Sequence, residues 1–158
     1  LCHQPRNVCF LSNESSGYLY SGNVMWSKYP KPDHERLLKI VNDTFKPSKP
    51  YNGILINEYP DGNHNVGAHS DTESGVDIKS GVVAINHGAV RKFRISRAGS
   101  TKSVVDVPTK PYHALQMQGP NFQKLFYHAI PVEKKVTEKR TSITFRYHDP
   151  EQEKKEAK

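Results

Sequence analysis

The sequence predicts a mainly β fold of the jelly-roll kind, with one helix packed against the sheets. From residue 51 onward, short segments rich in Val, Ile, Phe and Tyr recur between Gly, Asn, Asp and Pro residues, a pattern typical of strands joined by turns. Seven or more such strands indicate a β-sandwich or barrel. Strands do not alternate with helical segments along the chain, so a parallel α/β sheet is excluded.

The one predicted helix lies in the first fifty residues. It begins at Lys31-Pro32-Asp33, because Pro is favoured in the first turn of a helix. Apolar side chains then recur at helical spacing and form one face between polar residues, which predicts packing against a sheet. These side chains are Leu37, Leu38, Val41 and Phe45.

Seven strands are predicted along the rest of the chain. Each combines β-branched or aromatic residues with turn-forming residues near its ends. The predicted strands are Gly53–Tyr59, Gly81–Ile85, Arg91–Ser96, Ser103–Val107, Ala114–Met117, Lys124–Tyr127 and Thr141–Tyr147.

The composition favours an intracellular protein. Net charge is +7, which suits a partner with phosphate groups but is also common among other domains. Cys2 and Cys9 lack the spacing of a zinc site or a disulfide framework, so we expect a reducing compartment, the cytoplasm, with the nucleus as an alternative. We expect no membrane span or signal peptide, because apolar runs are short. The chain begins with Leu, which predicts that it is part of a longer polypeptide.

Candidate metal ligands lie at His69-Ser70-Asp71. Alternate residues on a strand or at its exit point the same way, so an imidazole and a carboxylate can meet here. One more His would complete a facial triad, which suits Fe(II) and leaves three coordination positions open. A structural zinc would need four ligands. The motif by itself is more typical of a surface loop, because eight His residues make chance pairs with Asp common.

His128 is the candidate third ligand. It closes an aromatic segment, Phe126-Tyr127-His128, at what would be the mouth of a barrel. Its alternative role is a hydrogen-bonded histidine in the core or at the rim. The next predicted strand carries Arg140 and Arg146 on one face. Two inward cations favour a dicarboxylate ligand, because guanidinium binds carboxylate in a bidentate manner.

These residues, in this order, resemble the AlkB-type nucleic-acid demethylases of the Fe(II)/2-oxoglutarate dioxygenase superfamily. The similarity extends over about residues 6 to 147. Asn57-Glu58-Tyr59 resembles the family's N-x-Y strand, His69-Ser70-Asp71 its H-x-D, and Arg140–Arg146 its R-x-S/N-x-T-F-R ending. Other matching segments are Gly81–Phe93 and Gln123–Pro131. Tyr18–Gly22 resembles the aromatic element of the family's nucleotide-recognition lid. His87 is a departure, because the family usually has Leu there.

The resemblance implies a double-stranded β-helix with a role for each site residue. The implied iron ligands are His69, Asp71 and His128. The implied 2-oxoglutarate contacts are Asn57, Tyr59, Arg140 and Arg146. Of the two arginines, Arg140 would bind the far carboxylate, and Arg146 would lie near the carboxylate beside the metal. The implied substrate contacts are Glu73, which would face the base, and Tyr18 and Tyr20, which would stack on it or pack the lid.

The implied activity is oxidative demethylation of N-alkylated bases, such as N1-methyladenine and N3-methylcytosine, in RNA or single-stranded DNA, with RNA favoured. Fe(II), 2-oxoglutarate and O2 would be required, and formaldehyde, succinate and CO2 released. The target base must be unpaired or flipped out. Basic residues elsewhere, among them Arg6 and Lys28, would contact phosphates or be solvated. Two other functions stay open: a dioxygenase acting on a protein or lipid, and a non-catalytic cupin-like binding module.

The resemblance also predicts the organisation of the chain. Residues 1-50 would form an N-terminal lid and helix extension, residues 51-148 the jelly-roll catalytic core, and residues 149-158 a charged, disordered tail. We expect a monomeric catalytic domain. It would suit an AlkB domain in the replication polyprotein of a plant RNA virus, located in the host cytoplasm, or a truncated cellular homologue.

Overall fold

A computed structural model describes residues 6–20 and 23–150, and it leaves the side chains at positions 18–20 and 23 undescribed. The described residues form eleven strands and two helices. The strands are β1 (Asn7–Ser12), β2 (Gly17–Tyr20), β3 (Asn23–Trp26), β4 (Gly53–Tyr59), β5 (Val66–His69), β6 (Val82–Gly88), β7 (Lys92–Arg97), β8 (Ser103–Pro108), β9 (Ala114–Met117), β10 (Phe126–Ile130) and β11 (Arg140–Arg146). The helices are α1 (Pro32–Phe45) and α2 (Gly119–Leu125).

The strands form two antiparallel sheets and a small ribbon. The five-stranded sheet has the order β1-β4-β11-β6-β9, and the four-stranded sheet has the order β5-β10-β7-β8. The ribbon consists of β2 and β3. Strands that are distant in sequence lie side by side in both sheets, as in a jelly roll. The predicted mainly β, jelly-roll class is therefore confirmed. Neither helix of the described chain has the length and apolar character needed to cross a bilayer.

Helix α1 covers one face of the five-stranded sheet. Val41 of α1 is buried together with Ile54, Val83 and Phe145, which come from β4, β6 and β11. Leu37, Leu38 and Phe45 pack on the same cluster, whereas Ile40 lies outside this face and is exposed. Burying a side chain of this size contributes about 1.5 to 3 kcal/mol, so this layer supplies much of the stability. The predicted helix start and its apolar face are both confirmed.

The opposite face of the five-stranded sheet is buried but largely polar. Residues two apart along a strand point to the same face, and on this face the structure places Asn57 opposite Ser142 and Ser142 opposite Asn86. Apolar side chains from both sheets close the space around these residues, among them Phe93 and Ile130 of the four-stranded sheet. Buried polar side chains in the space between two sheets indicate a site for ligands rather than a purely packed core.

The segment before His128 differs from its prediction. The predicted strand Lys124–Tyr127 is wrong in its first half, because α2 extends to Leu125 and β10 begins at Phe126. Gly119 takes a positive φ of 72°, and the next residue, Pro120, suits the first turn of a helix. His128 consequently lies in the middle of β10 rather than at its end.

Four strands are not among those that the sequence predicts: β1, β2, β3 and β5. Strand β5 reads Val-Gly-Ala-His and has one β-branched residue, so it lacks a strand signal of its own. Strand β1 pairs with β4 along its whole length and forms the edge of the five-stranded sheet. The N-terminal segment therefore contributes to the main sheet as well as supplying α1.

Arg91 connects the two loops that flank the interior. Its side chain is fully buried and donates hydrogen bonds to the carbonyl oxygens of His64 at 3.0 Å and Pro131 at 2.7 Å. Its Nε also lies 3.2 Å from Glu133 Oε2, and that carboxylate accepts a hydrogen bond from the Lys92 backbone. One loop leads into β5 and the other leaves β10. These bonds therefore fix the outer ends of both strands.

Candidate metal centre

Strands β5 and β10 place two histidines beside each other. In the antiparallel pair formed by these strands, His69 lies directly opposite His128. Their ring centroids are 4.3 Å apart. Asp71 lies two residues beyond the end of β5, as predicted for a motif at a strand exit. Each of the three residues offers a ligand atom, and these atoms lie within 4.8 Å of one another.

The spacing of these atoms fits ligands of one metal ion. Asp71 Oδ1 lies 3.6 Å from His69 Nε2, and Asp71 Oδ2 lies 3.7 Å from His128 Nε2. Both distances are too long for hydrogen bonds. Atoms bound about 2.1 Å from one metal lie roughly 3 to 4 Å apart. Asp71 Oδ2 is buried and has no hydrogen-bond partner among the described residues, as expected for an oxygen that binds a metal ion.

The two histidines are held with their Nε2 atoms toward Asp71. His69 Nδ1 lies 2.8 Å from the carbonyl oxygen of Gly67, to which it can donate a hydrogen bond. With the proton on Nδ1, the lone pair of Nε2 is free to bind a metal. His128 is packed against Phe93, with ring centroids 5.2 Å apart and a 14° angle between the planes. Burial lowers the pKa of His128 to about 4, so its imidazole is neutral and able to bind a metal at physiological pH.

Asp71 is a carboxylate at all physiological pH values. Burial acts to raise its pKa, but the positive charge of Arg146, together with the interactions of Asp71 with His128 and His69, outweighs this effect and holds the pKa well below its usual range. Two imidazoles and one ionised carboxylate are the donor set of a facial Fe(II) site. The described residues of the cluster supply three ligands, and three positions of an octahedron would stay open for other molecules.

Arg140 lies on the polar face of the five-stranded sheet and lines the same cavity as this cluster, which comes from the four-stranded sheet. Its side chain is 2% exposed, and its Cζ lies 5.1 Å from the centroid of the Tyr59 ring. Burial lowers the pKa of Arg140 and Tyr59 opposes the effect, but a guanidinium keeps its charge at neutral pH. Arg140 Nη1 is buried without a hydrogen-bond partner among the described residues. The cavity that contains the metal cluster is also lined by Arg140, Tyr59 and Asn57.

Arg146 lies between the carboxylates of Asp71 and Glu73. Arg146 Nη2 is 3.5 Å from Asp71 Oδ1, and Arg146 Nη1 is 3.7 Å from Glu73 Oε2. Burial raises the pKa of Glu73, and the charge of Arg146 opposes this. Glu73, expected to face a substrate base, thus has its carboxylate directed at Arg146. Tyr18 and Tyr20 lie in β2, and their side chains are outside the described residues.

Comparison with known proteins identifies the family. The family model of the 2OG-Fe(II) oxygenase superfamily matches residues 4–146 of the sequence, which is most of the chain. The chain belongs to the 2OG-Fe(II) oxygenase superfamily. Human DNA oxidative demethylase ALKBH2 (Homo sapiens) is 31% identical over 149 residues, which cover 90% of this chain and 56% of that protein. The mouse protein of the same name (Mus musculus) is 28% identical over 152 residues, which cover 90% of this chain and 61% of that protein. The predicted AlkB-type resemblance is confirmed.

A solved structure supports the fold of this oxygenase. "The structure of OsALKBH1" superposes with a TM-score of 0.63 at 17% identity, and the match covers 91% of this chain and 78% of that one. This likeness concerns the fold. The chain spans 52 to 61% of the length of the three curated relatives that it matches.

Arg6 is an unpredicted side chain in the cavity of this oxygenase. It is only 9% exposed, and its Nε donates a 2.8 Å hydrogen bond to Asn57 Oδ1. The prediction that Arg6 is solvated or contacts phosphates is therefore wrong. Its position follows from β1, which pairs with β4 and brings residue 7 opposite residue 58. No local sequence signal marks it, because the pairing joins segments some fifty residues apart.

Gln123 is a second unpredicted residue of the site. It lies in α2, it is 1% exposed, and its Oε1 accepts a 2.8 Å hydrogen bond from the backbone N–H of Asp71. Its Nε2 lies 3.9 Å from Met117 Sδ. The bond holds the backbone of a metal ligand that has already left strand β5. Gln123 therefore acts on the metal centre through the position of Asp71.

Replacing Gln123 with Met is expected to weaken metal binding about 10- to 100-fold, which is typical when a group that orients a ligand is removed. The substitution removes the acceptor and nearly preserves the side-chain volume. Mn(II) affinity, measured by electron paramagnetic resonance, would report the effect. Gln116→Met is the matched control, because Gln116 is exposed on β9. Equal Mn(II) affinity in both variants would contradict a positioning role for Gln123.

Proposed function

We propose that this oxygenase is an Fe(II)/2-oxoglutarate-dependent dioxygenase that oxidatively demethylates N-alkylated bases in nucleic acid. One observation carries the proposal: a His-Asp-His cluster and a buried arginine with an unsatisfied donor line the same cavity. The cluster fits iron, and the arginine fits the far carboxylate of a dicarboxylic acid. Relatives of similar sequence are named as DNA oxidative demethylases, which supports a nucleic-acid substrate.

Each site residue has a proposed task. His69, Asp71 and His128 would hold the iron, which when bound supplies the activation of dioxygen. Arg140 would bind the far carboxylate of 2-oxoglutarate, and Tyr59 and Asn57 would orient the co-substrate from β4. The apolar rings around His128 would keep water from this part of the cavity. Arg146 keeps Asp71 ionised and thereby available to the metal.

The substrate would be an unpaired base, because unpaired bases reach an enclosed cavity at the lowest cost. We keep Tyr18, Tyr20 and Glu73 as proposed substrate contacts. A methylated base such as N1-methyladenine is cationic, and a carboxylate nearby would attract it. RNA as the preferred nucleic acid stays a prediction from the sequence.

A parallel assay on both nucleic acids tests the proposal. The chain would be incubated with Fe(II), 2-oxoglutarate and oligonucleotides of one sequence, as single-stranded RNA and DNA, carrying N1-methyladenine or N3-methylcytosine. We expect loss of the methyl group by mass spectrometry, with formaldehyde and succinate in equal amounts, and faster loss from RNA. Unmethylated oligonucleotides are the control.

Other outcomes of the assay favour other functions. Succinate formed with peptides or lipids but no methyl loss from either oligonucleotide would favour a dioxygenase with another substrate. If the chain binds neither the metal nor 2-oxoglutarate, a non-catalytic binding module would be favoured. Faster methyl loss from DNA than from RNA would contradict the RNA preference alone.

A further inference from the structure

Two buried residues hold the side chain of Arg140. Thr109 Oγ1 accepts a 3.2 Å hydrogen bond from Arg140 Nε, and Asn86 Oδ1 accepts a 2.5 Å hydrogen bond from Arg140 Nη2. Asn86 and Thr109 are each 1% exposed. Neither is among the site residues that the sequence predicts. Hydrogen bonds to a charged group are stronger than those between neutral groups, so both acceptors restrict the guanidinium.

Thr109 is itself fixed by the backbone of Arg91. The Thr109 N–H donates to the Arg91 carbonyl oxygen at 2.8 Å, and Thr109 Oγ1 accepts from the Arg91 N–H at 2.9 Å. The same hydroxyl oxygen therefore accepts from two donors, one of them Arg140. Because Arg91 is buried and bonded to both flanking loops, Thr109 has little freedom to move.

Asn86 is fixed from β6 and from the segment before β9. Its Nδ2 and its backbone N–H each donate to the His113 carbonyl oxygen at 3.2 Å, and its own carbonyl accepts from the Tyr112 N–H at 2.7 Å. In the sheet it lies opposite Ser142, while Gly88 lies opposite Arg140. Gly88 has no side chain to compete for the guanidinium, so the carboxamide of Asn86 reaches it diagonally across the two strands.

These contacts leave one end of the guanidinium for a ligand. Nε and one hydrogen of Nη2 are used, and the Tyr59 ring lies 5.1 Å from Cζ. Nη1 is the buried nitrogen with no hydrogen-bond partner in the described chain. Its position relative to His69, Asp71 and His128 is therefore fixed by rigid neighbours. A fixed donor and a fixed metal centre accept a dicarboxylate of one length best.

We infer that Asn86 and Thr109 are positioning residues that set the selectivity for co-substrate length by fixing Arg140. The inference rests on the proposed function, in which Arg140 binds the far carboxylate of a 2-oxo dicarboxylic acid. With both acceptors present, the five-carbon acid 2-oxoglutarate is favoured over the six-carbon acid 2-oxoadipate. Without them, Arg140 moves on its flexible stem, binds 2-oxoglutarate less well and tolerates the longer acid.

The test compares Thr109→Val and Asn86→Leu with the wild-type chain. Binding of 2-oxoglutarate and of 2-oxoadipate would be measured by calorimetry on the Mn(II)-loaded protein without oxygen, and KM and kcat on the Fe(II) enzyme. We expect about a tenfold loss of 2-oxoglutarate affinity, as for one hydrogen bond to a charged group, and little change in kcat at saturation. The preference for 2-oxoglutarate over 2-oxoadipate should shrink by about the same factor.

Control variants separate this role from a structural one. Thr109→Ser keeps the hydroxyl and should retain wild-type selectivity, and Thr101→Val at an exposed loop position should have no effect. In an Arg140→Met background, Thr109→Val should add little to the loss of affinity, because the two residues act through one contact. The thermal unfolding midpoint of each variant would be recorded without ligand.

Three results would overturn the inference. Affinity for both acids could fall equally while the unfolding midpoint also falls, which would indicate a structural role. The effects of Thr109→Val and Arg140→Met could add fully, which would indicate independent actions. Selectivity could be unchanged in both variants although the wild-type chain binds 2-oxoglutarate. A wild-type chain that fails to bind 2-oxoglutarate would overturn the proposed function as well.

Discussion

Replacing Asp71 with Ala is expected to abolish specific metal binding and to lower 2-oxoglutarate turnover by more than about 100-fold. Loss of residues that only orient a metal ligand already costs about 10- to 100-fold in metal affinity, and Asp71 would be the one carboxylate among the three metal ligands. The substitution also removes the anion that lies between the two histidines and Arg146, so the uncompensated positive charge of Arg146 would repel a cation. Mn(II) binding and succinate formation would measure the two effects.

Asp43→Ala is the matched control for this prediction. Asp43 lies on the exposed side of α1 and forms an ion pair with Lys39, where a surface pair contributes little to stability. It should leave metal affinity and turnover unchanged. Unaltered Mn(II) binding in Asp71→Ala, with a folded protein by circular dichroism, would show that the cluster is not the metal centre.

Replacing Arg140 with Met should raise the KM for 2-oxoglutarate by roughly 30-fold to several thousand-fold. Removing one partner of a buried, hydrogen-bonded charge pair costs about 2 to 5 kcal/mol, and 1.4 kcal/mol corresponds to a factor of ten. Arg140 Nη1 has no hydrogen-bond partner among the described residues, so a bound carboxylate would be its main partner. Succinate formation at increasing co-substrate concentrations would measure KM, with metal affinity expected to stay near the wild-type value.

Arg36→Met serves as the control for charge removal, because Arg36 is exposed on α1. An unchanged KM in Arg140→Met would contradict the assignment of the carboxylate to Arg140. A loss of Mn(II) affinity equal to that of Asp71→Ala would instead indicate that the substitution disturbs the whole cavity.

Features that depend on neighbours in sequence could be predicted. Helix α1 follows from its apolar spacing and from Pro32, and the bounds of β4 and β9 agree with the predicted strands. Segments whose conformation depends on the rest of the fold are harder to predict from the sequence. Strand β5 has a weak signal and exists because β10 pairs with it. Helix α2 occupies a segment with apolar residues that also suit a strand.

The metal ligands and the inward arginines were predicted for a similar reason. His69 and Asp71 lie two residues apart at a strand exit, and Arg140 and Arg146 share one face of a strand, so short-range geometry relates each pair. His128 was proposed as the third ligand from its place at the end of an aromatic segment, and the two arginines and the resemblance to a family favoured that role over a histidine of the core or rim. The register that places it opposite His69 is visible only in the structure.

The sequence by itself determined the fold class, the helix and the types and order of the residues that form the site. Only the tertiary structure decided which buried groups support them: Gln123 on Asp71, Arg6 on Asn57, and Asn86 and Thr109 on Arg140. The physical reason is range. Periodicity and turn propensity act over a few residues, whereas these hydrogen bonds join segments of the chain from 31 to 54 residues apart. Their geometry exists only after the sheets have paired.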